Sequence, residues 1–311
     1  MPTPRPLPSW RGGAAKTAVL DFVRSVSEPG EAFVPTMERI ATFDNDGTLW
    51  CEKPMYPQAD FLIRRWAEQV KADPTLATQQ PWKAVAEGDR SWLASALDHV
   101  PELIKGVTQA YDGITTGAFE QAVREFFDTA THPTLGTSYT GVAFRPMREL
   151  IDLLTANDFA VYICSAGGRD FVRVVSEEMY GIPRERVIGS GTTLEFRAGD
   201  VYRTKGIEQP IDDGPGKPVH IWTRTGRKPL LAGGNADGDT DMLASARFAL
   251  LLRHDDADRE FAYDTGAEKA LAAAGEHGWT VVSMKPTSAP SSDRRCSRGA
   301  IMRQALGVGR T

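Results

Sequence analysis

The sequence predicts an α/β protein: a doubly wound parallel sheet with an all-helical insert after its first strand. Three observations predict it. Short apolar runs at residues 40–43, 159–164, 187–189, 229–232, 248–252 and 279–283 end in small or polar residues, as strands buried on both faces do. Helical patterns with short connections separate most of these runs, the arrangement that covers a parallel sheet on both faces. Between about Met55 and Thr131 the alternation stops, and only helical spacing remains.

In chain order, residues 1 to about 15 are rich in Pro and Gly and predict a surface or disordered lead-in. Ala18, Leu20, Phe22 and Val23 predict a helix over 14–26. The insert shows Phe61, Leu62, Trp66 and Val70, then Phe119, Val123, Phe126 and Phe127, with breaks at Pro74, Pro81, Pro101 and Gly113. Its aromatic stripes, with Trp66, Trp82 and Trp92, read as core packing. A helical block directly after a polar loop would also serve as a lid that excludes water.

From Phe144 helix and strand alternate again. Residues 146–154 predict a helix, and the strand at 159–164 ends in Ser165-Ala166-Gly167-Gly168. A helix over 169–179, a strand at 187–189, and a hairpin pairing 193–196 with 201–203 follow. Residues 217–223 lead to the strand at 229–232, which ends in Gly233-Gly234-Asn235-Ala236-Asp237-Gly238-Asp239. The expected division is a core of 1–54 and 141–285, a helical insert of 55–140, and a Ser/Pro- and Arg-containing tail, 286–311. The tail reads as disordered, with weak anion binding as the alternative.

The 311 residues are 41% hydrophobic and 25% charged, enough for a core, and the net charge of -5 gives no global attraction to nucleic acid or an anionic membrane. No nucleic-acid or membrane partner is expected, and no apolar run has the length to span a bilayer. Cys51, Cys164 and Cys296 lack metal-type spacing and suggest free thiols in a reducing, cytoplasmic setting. The five histidines are scattered and form no zinc set.

Asp44 and Asp46 stand one residue apart where the first strand empties into a Gly47-Thr48 turn. At the carboxyl end of a parallel strand both would face one crevice, with turn N–H groups available to an anion. Ser165, Lys217 and the Asn235/Asp239 loop follow later strands or flank them. A phosphoryl group in transfer spreads charge over three oxygens and needs a cation, a metal and N–H or hydroxyl donors, types that this set supplies. Mg2+ suits such oxygen ligands.

Residues 44–49, Asp-Asn-Asp-Gly-Thr-Leu, resemble the first motif of the haloacid dehalogenase superfamily, Asp-x-Asp-Gly-Thr-Leu. Ser165 resembles the second motif, Lys217 the third, and residues 234–239 the fourth, so the resemblance spans most of 40–285. It implies a Rossmann-like core with a helical cap between motifs one and two, as in phosphoserine-phosphatase-like members. It also implies that Asp44 is a nucleophile forming an aspartyl-phosphate and Asp46 a general acid, then base. Asp44, the Asp46 carbonyl and a fourth-motif side chain would hold Mg2+, while Ser165 and Lys217 would hold the phosphoryl group. Gly47, Thr48, Ala166 and Gly167 would line the substrate site.

The fourth motif often begins Gly-Asp, whereas this chain has Asn235 there and Asp239 four residues later, so both are candidate ligands. Glu52 and Lys53 would face the leaving group or be solvated charges; Arg169 would touch phosphate or form a structural salt bridge. Dehalogenating members lack an acid at the place of Asp46. The resemblance therefore implies a Mg2+-dependent phosphatase of a small phosphorylated metabolite, with a phosphomutase or phosphotransferase, or a catalytically weak phospho-ligand-binding protein, as alternatives.

Overall fold

The computed structural model describes residues 6–95, 99–258 and 260–285, so the expected tail at 286–311 lies outside the described residues. The lead-in departs from expectation. Leu7 and Trp10 are buried, the Trp10 indole donates to the Pro146 carbonyl at 2.7 Å, and Lys16 Nζ donates to the Leu7 carbonyl at 2.6 Å. Two apolar side chains among the prolines are enough to dock this segment.

Helix α1 (Ala14–Ser27) buries Val19, Val23 and Val26, one stripe at helical spacing. Strand β1 (Ile40–Phe43) leads into α2 (Pro57–Ala72), α3 (Trp82–Glu87), α4 (Arg90–Ala94), α5 (Val100–Ala110) and α6 (Thr116–Thr129), the all-helical insert. Helix α7 (Arg145–Ala156) and strand β2 (Ala160–Gly168) resume the alternation. The single helix expected over 169–179 is two, α8 (Arg169–Arg173) and α9 (Ser176–Tyr180). The break falls at Val174 and Val175, adjacent β-branched residues of low helix propensity, and burial of Val175 favours the turn.

Strand β3 (Val187–Ser190) precedes the hairpin β4 (Thr192–Arg197) and β5 (Asp200–Ile207). Residues 217–223 lie within helix α10 (Gly216–Thr225). Strand β6 (Leu231–Gly234), α11 (Thr240–Ser245), β7 (Phe248–Arg253), α12 (Glu268–His277) and β8 (Thr280–Ser283) complete the order. Strand β6 begins two residues later than predicted. Pro229 has no N–H for a ladder, and Gly233 extends the strand because its bare Cα lets the Phe43 ring pack over it.

The sheet runs β3-β2-β1-β6-β7-β8, and every pairing is parallel. Alternation along its strands sorts the core into two layers. Ile163, Val187, Leu231, Leu250 and Leu252 pack on the side of α1 and α7, with Val23, Leu150 and Leu154. Their neighbours Cys164, Ile188, Ala232, Ala249 and Leu251 pack with Ile221, Met242, Leu243 and Ala270 of α10, α11 and α12. This is a doubly wound Rossmann-like sheet.

The insert shares the first layer's core. Phe171 of α8 lies 5.2 Å from Phe61 and 5.1 Å from Phe127 between ring centroids, and Trp50 lies 6.1 Å from Phe127. The hairpin adds a main-chain link, with Gly113 N–H donating to the Arg203 carbonyl and Arg203 N–H to the Ile114 carbonyl, both at 2.9 Å. Among the described residues no helix is long and apolar enough to cross a membrane.

Candidate active site

Sheet register assembles the site. Phe43 of β1 is paired with Ile163 on one side and Gly233 on the other. The residues that follow, Asp44, Cys164-Ser165 and Gly234-Asn235, therefore leave the sheet side by side at its carboxyl edge, where open α/β sheets place their ligands. Asp44 N–H still donates to the Gly233 carbonyl at 2.9 Å, anchoring the turn.

Lys217, the second residue of α10, is 1% exposed. Its Nζ donates to Asp44 Oδ1 and Asp239 Oδ1, each at 2.6 Å, and to the Cys164 carbonyl at 3.1 Å. Those three acceptors use all three ammonium protons. Burial alone would lower the Lys217 pKa, but the charges of Asp239 and then Asp44 raise it well above its ordinary value, so the amine stays charged. For Asp44, burial and the nearby Asp239 charge raise the pKa against the opposing pull of Lys217. Oδ2 of Asp239 accepts the N–H groups of Asn235 at 2.9 Å and Ala236 at 3.0 Å, so both of its oxygens are engaged.

Asp46 retains some exposure and accepts a 2.7 Å hydrogen bond from the Trp50 indole on Oδ1. Desolvation pushes its carboxyl up to about 7, opposed by the Trp50 bond and assisted by the Glu52 charge. Ser165 is buried, and its Oγ accepts the Gly167 N–H at 3.1 Å. A Cβ on Gly167 would sit 3.2 Å from Ser165 Oγ and 3.5 Å from Asp46 Oδ2, which places the first two strand ends around one small space. Gln58, at the start of α2, closes it by accepting the Gly168 N–H at 2.7 Å.

Residues 41–244 match the model of the haloacid dehalogenase-like hydrolases. The chain belongs to that family. A solved protein of unknown function from Bordetella pertussis is 13% identical to this haloacid dehalogenase-like chain, with a TM-score of 0.52 over 79% of this chain and 98% of that one. A conserved, functionally unknown protein from Anaerococcus prevotii is 15% identical, with a TM-score of 0.50 over 85% and 90%. At such identities the likeness shows the fold alone. L-lactate dehydrogenase of Lactobacillus delbrueckii subsp. bulgaricus is 29% identical over 77 residues, which is 24% of this chain and 24% of that enzyme. That match spans about a quarter of either protein.

Of the residues expected at the site, Asp44, Asp46, Ser165, Gly167, Lys217, Asn235 and Asp239 come together. Thr48 joins them through a 2.9 Å hydrogen bond with Asn235 Oδ1. Gly47 has φ +76°, and a Cβ there would run into the Asn235 amide, so the turn requires glycine on two counts. Ala166 is exposed at the rim. Glu52 is buried and accepts the Tyr263 hydroxyl at 2.7 Å. Arg169 is turned to the hairpin, pairing with Glu208 at 2.7 Å and Asp170 at 3.5 Å, which is the salt-bridge alternative.

Trp50, Gln58, His254 and Tyr263 were not singled out from the sequence. Trp50 carried a signal in its place four residues after Asp46. The others come from distant segments and carry none.

The donor set of this family member fits Mg2+. Among the described residues no three His, Cys, Asp or Glu side chains form a metal-holding group, so a site here must draw on other oxygens. Lys217 takes Oδ1 of Asp44 and leaves Oδ2, and the Asp46 main-chain carbonyl and the Asn235 amide are hard oxygen donors of the type that Mg2+ takes. Among the described residues Asn235 Nδ2 is buried without a hydrogen-bond partner. Turning the amide over would satisfy Thr48 through Nδ2 and present Oδ1 where the orphan now lies, an acceptor suited to a cation. Asp239, expected as a ligand, already gives both oxygens to Lys217 and the loop amides, so Asn235 is the better placed of the two.

Proposed function

We propose that this hydrolase is a Mg2+-dependent phosphatase of a small-molecule phosphate monoester, working through an aspartyl-phosphate on Asp44. The observation that carries the reading is the buried Lys217 ammonium bridging Asp44 and Asp239, with a second carboxyl, Asp46, two residues along the same turn. A hydrolase needing only charge stabilisation has no use for an acid of raised pKa beside its nucleophile. A phosphatase needs both.

Asp44 would attack phosphorus in line while Asp46, held by Trp50, gives its proton to the leaving oxygen as the ester P–O bond breaks. In the second half Asp46 takes a proton from water, whose oxygen attacks phosphorus, and the bond to Asp44 breaks. The Ser165 hydroxyl would hold a non-bridging oxygen, while the Lys217 ammonium, its protons given to Asp44, Asp239 and the Cys164 carbonyl, would supply positive charge behind the phosphoryl group. Asp44, the Asp46 carbonyl and Asn235 would hold Mg2+, which supplies charge neutralisation on the phosphoryl oxygens. Asp239 would position Lys217. The helical insert would act as a cap that walls off the leaving-group side, and the net charge of -5 favours a small metabolite over a polyanion as substrate.

The test is a panel of phosphate monoesters assayed with Mg2+ in labelled water. Turnover should place solvent oxygen in the released phosphate, and Asp44→Asn should reduce it by ~10³-fold or more. Phosphate moved to an added alcohol would instead mark a phosphotransferase or mutase. A panel with no turnover would leave a phospho-ligand-binding role.

A further inference from the structure

The loop after β7 reaches back to the catalytic turn through groups with no part in the mechanism above. His254 is 3% exposed. Its Nε2 lies 2.7 Å from the Gly47 carbonyl oxygen and its Nδ1 lies 3.0 Å from Glu260 Oε1. A carbonyl only accepts, so Nε2 brings a proton to Gly47; with Nδ1 donating to Glu260 as well, the ring is an imidazolium. Tyr263 stacks on it with centroids 4.6 Å apart and planes at 8°, and passes its hydroxyl proton toward Glu52. One loop thus grips the turn at Gly47 and the chain again five residues later.

We propose that His254, held as an imidazolium by Glu260, is a positioning residue for the turn that carries Asp46. Gly47 sits at φ +76° with no side chain to restrain it, directly after Asp46. Fixing its carbonyl fixes the Gly47–Thr48 peptide plane, one glycine hinge away from the Asp46–Gly47 plane that carries the Asp46 carbonyl, and so limits how far that hinge can turn Asp46; a small error in aim is expensive in a transfer reaction. The charge balance agrees. Burial by itself would lower the His254 pKa, but the hydrogen bond and charge of Glu260, then the Gly47 carbonyl and Glu52, raise it overall.

The catalytic part of the inference rests on the phosphatase reading; the protonation part does not, and the experiment separates them. In full-length protein labelled with 15N-histidine, at about pH 7.5, both ring nitrogens of His254 should show the imidazolium signature, and Glu260→Gln should return the ring to a neutral tautomer. A neutral ring in the unmodified protein overturns the proposal, and so does a Glu260→Gln spectrum identical to it.

On an ester that the unmodified enzyme turns over, His254→Leu should lose kcat by about 10- to 100-fold with KM little changed. His254→Gln, which keeps an N–H directed at the same carbonyl, should recover most of that loss. A folded His254→Leu protein with full kcat overturns the positioning role. Should no ester be turned over, the phosphatase reading fails, while the ring spectrum still decides how His254 is held.

Discussion

Two regions meet at the carboxyl end of β2 and are held by different physics. In the crevice, three nearly buried charged groups, Asp44, Lys217 and Asp239, are fixed by hydrogen bonds of 2.6 Å. A few residues on, Phe171 packs in a seam of Phe61, Phe126, Phe127 and Trp50, rings 5.1–6.5 Å apart, that joins the helical insert to the sheet. Directional bonds among buried charges give position but oppose folding through desolvation. Rings give area and shape with no such opposition. The crevice should therefore respond to mutation in either direction, and the seam only by losing stability.

The largest effect should follow Lys217→Met. The change leaves two carboxylates facing a buried space with no cation between them, a loss of about 3–5 kcal/mol in stability. Protonation of Asp44, whose pKa burial already raises, relieves it, so urea unfolding should show a larger deficit at alkaline than at acid pH. Hydrolysis should fall by ~10²–10³-fold even where the variant is fully folded. A variant that keeps both stability and turnover would remove the bridge from the argument.

Phe171→Ala should show the seam's opposite pattern. The ring is 1% exposed, and its removal from close packing should take roughly 3–4 kcal/mol from stability through lost burial and a cavity. Turnover per folded molecule should change by no more than a factor of a few, because Phe171 meets the crevice through the edge of the Trp50 ring, whose indole stays bonded to Asp46. If kcat dropped together with KM, the insert would be moving against the sheet during the cycle, and the seam would be part of a lid hinge rather than a fixed joint. Calorimetric melting combined with steady-state kinetics on one preparation distinguishes the two.

The same division explains what the sequence disclosed. The six core strands and the carboxylates at their ends were legible because the signals are local: an apolar run, then small and acidic residues within a turn's reach. The insert's helices were legible from spacing alone. Residues brought in by tertiary structure were not. His254 meets Gly47 across 207 positions, and Gln58 meets Gly168 across 110, with nothing at either end to announce it. Roles assigned by residue type also shifted where geometry had another use for the group. Asp239 gives both oxygens to Lys217 and the loop amides, whereas Arg169, turned to Glu208, takes the salt-bridge role that its residue type also allowed. Tyr202 of the hairpin bridging Thr115 of the insert was invisible for a different reason, since main-chain pairing leaves no mark on side-chain pattern.

A smaller effect tests the crevice's expected sign from behind. Asp212 has no exposed surface, and its side chain is met by the Cys164 thiol at 3.4 and 3.6 Å from its two oxygens. Desolvation pushes its carboxyl up to about 6 in spite of the opposing charges of Lys217 and His220. With an ordinary value of 3.8 in the unfolded chain, the folded state holds the proton more tightly. Its contribution to stability is therefore complete below pH 3.8 and is lost as pH rises through 6. Asp212→Asn has no proton to lose, so it should be more stable than the unmodified protein by about 2–3 kcal/mol at alkaline pH and no more stable near the unfolded value. Turnover should persist, since Asp212 touches neither the nucleophile nor the acid. An equal gain at acid and alkaline pH would mean that packing rather than charge decides, and the contrast with Lys217→Met, one charge removal that destabilises against one that stabilises, would no longer follow from desolvation.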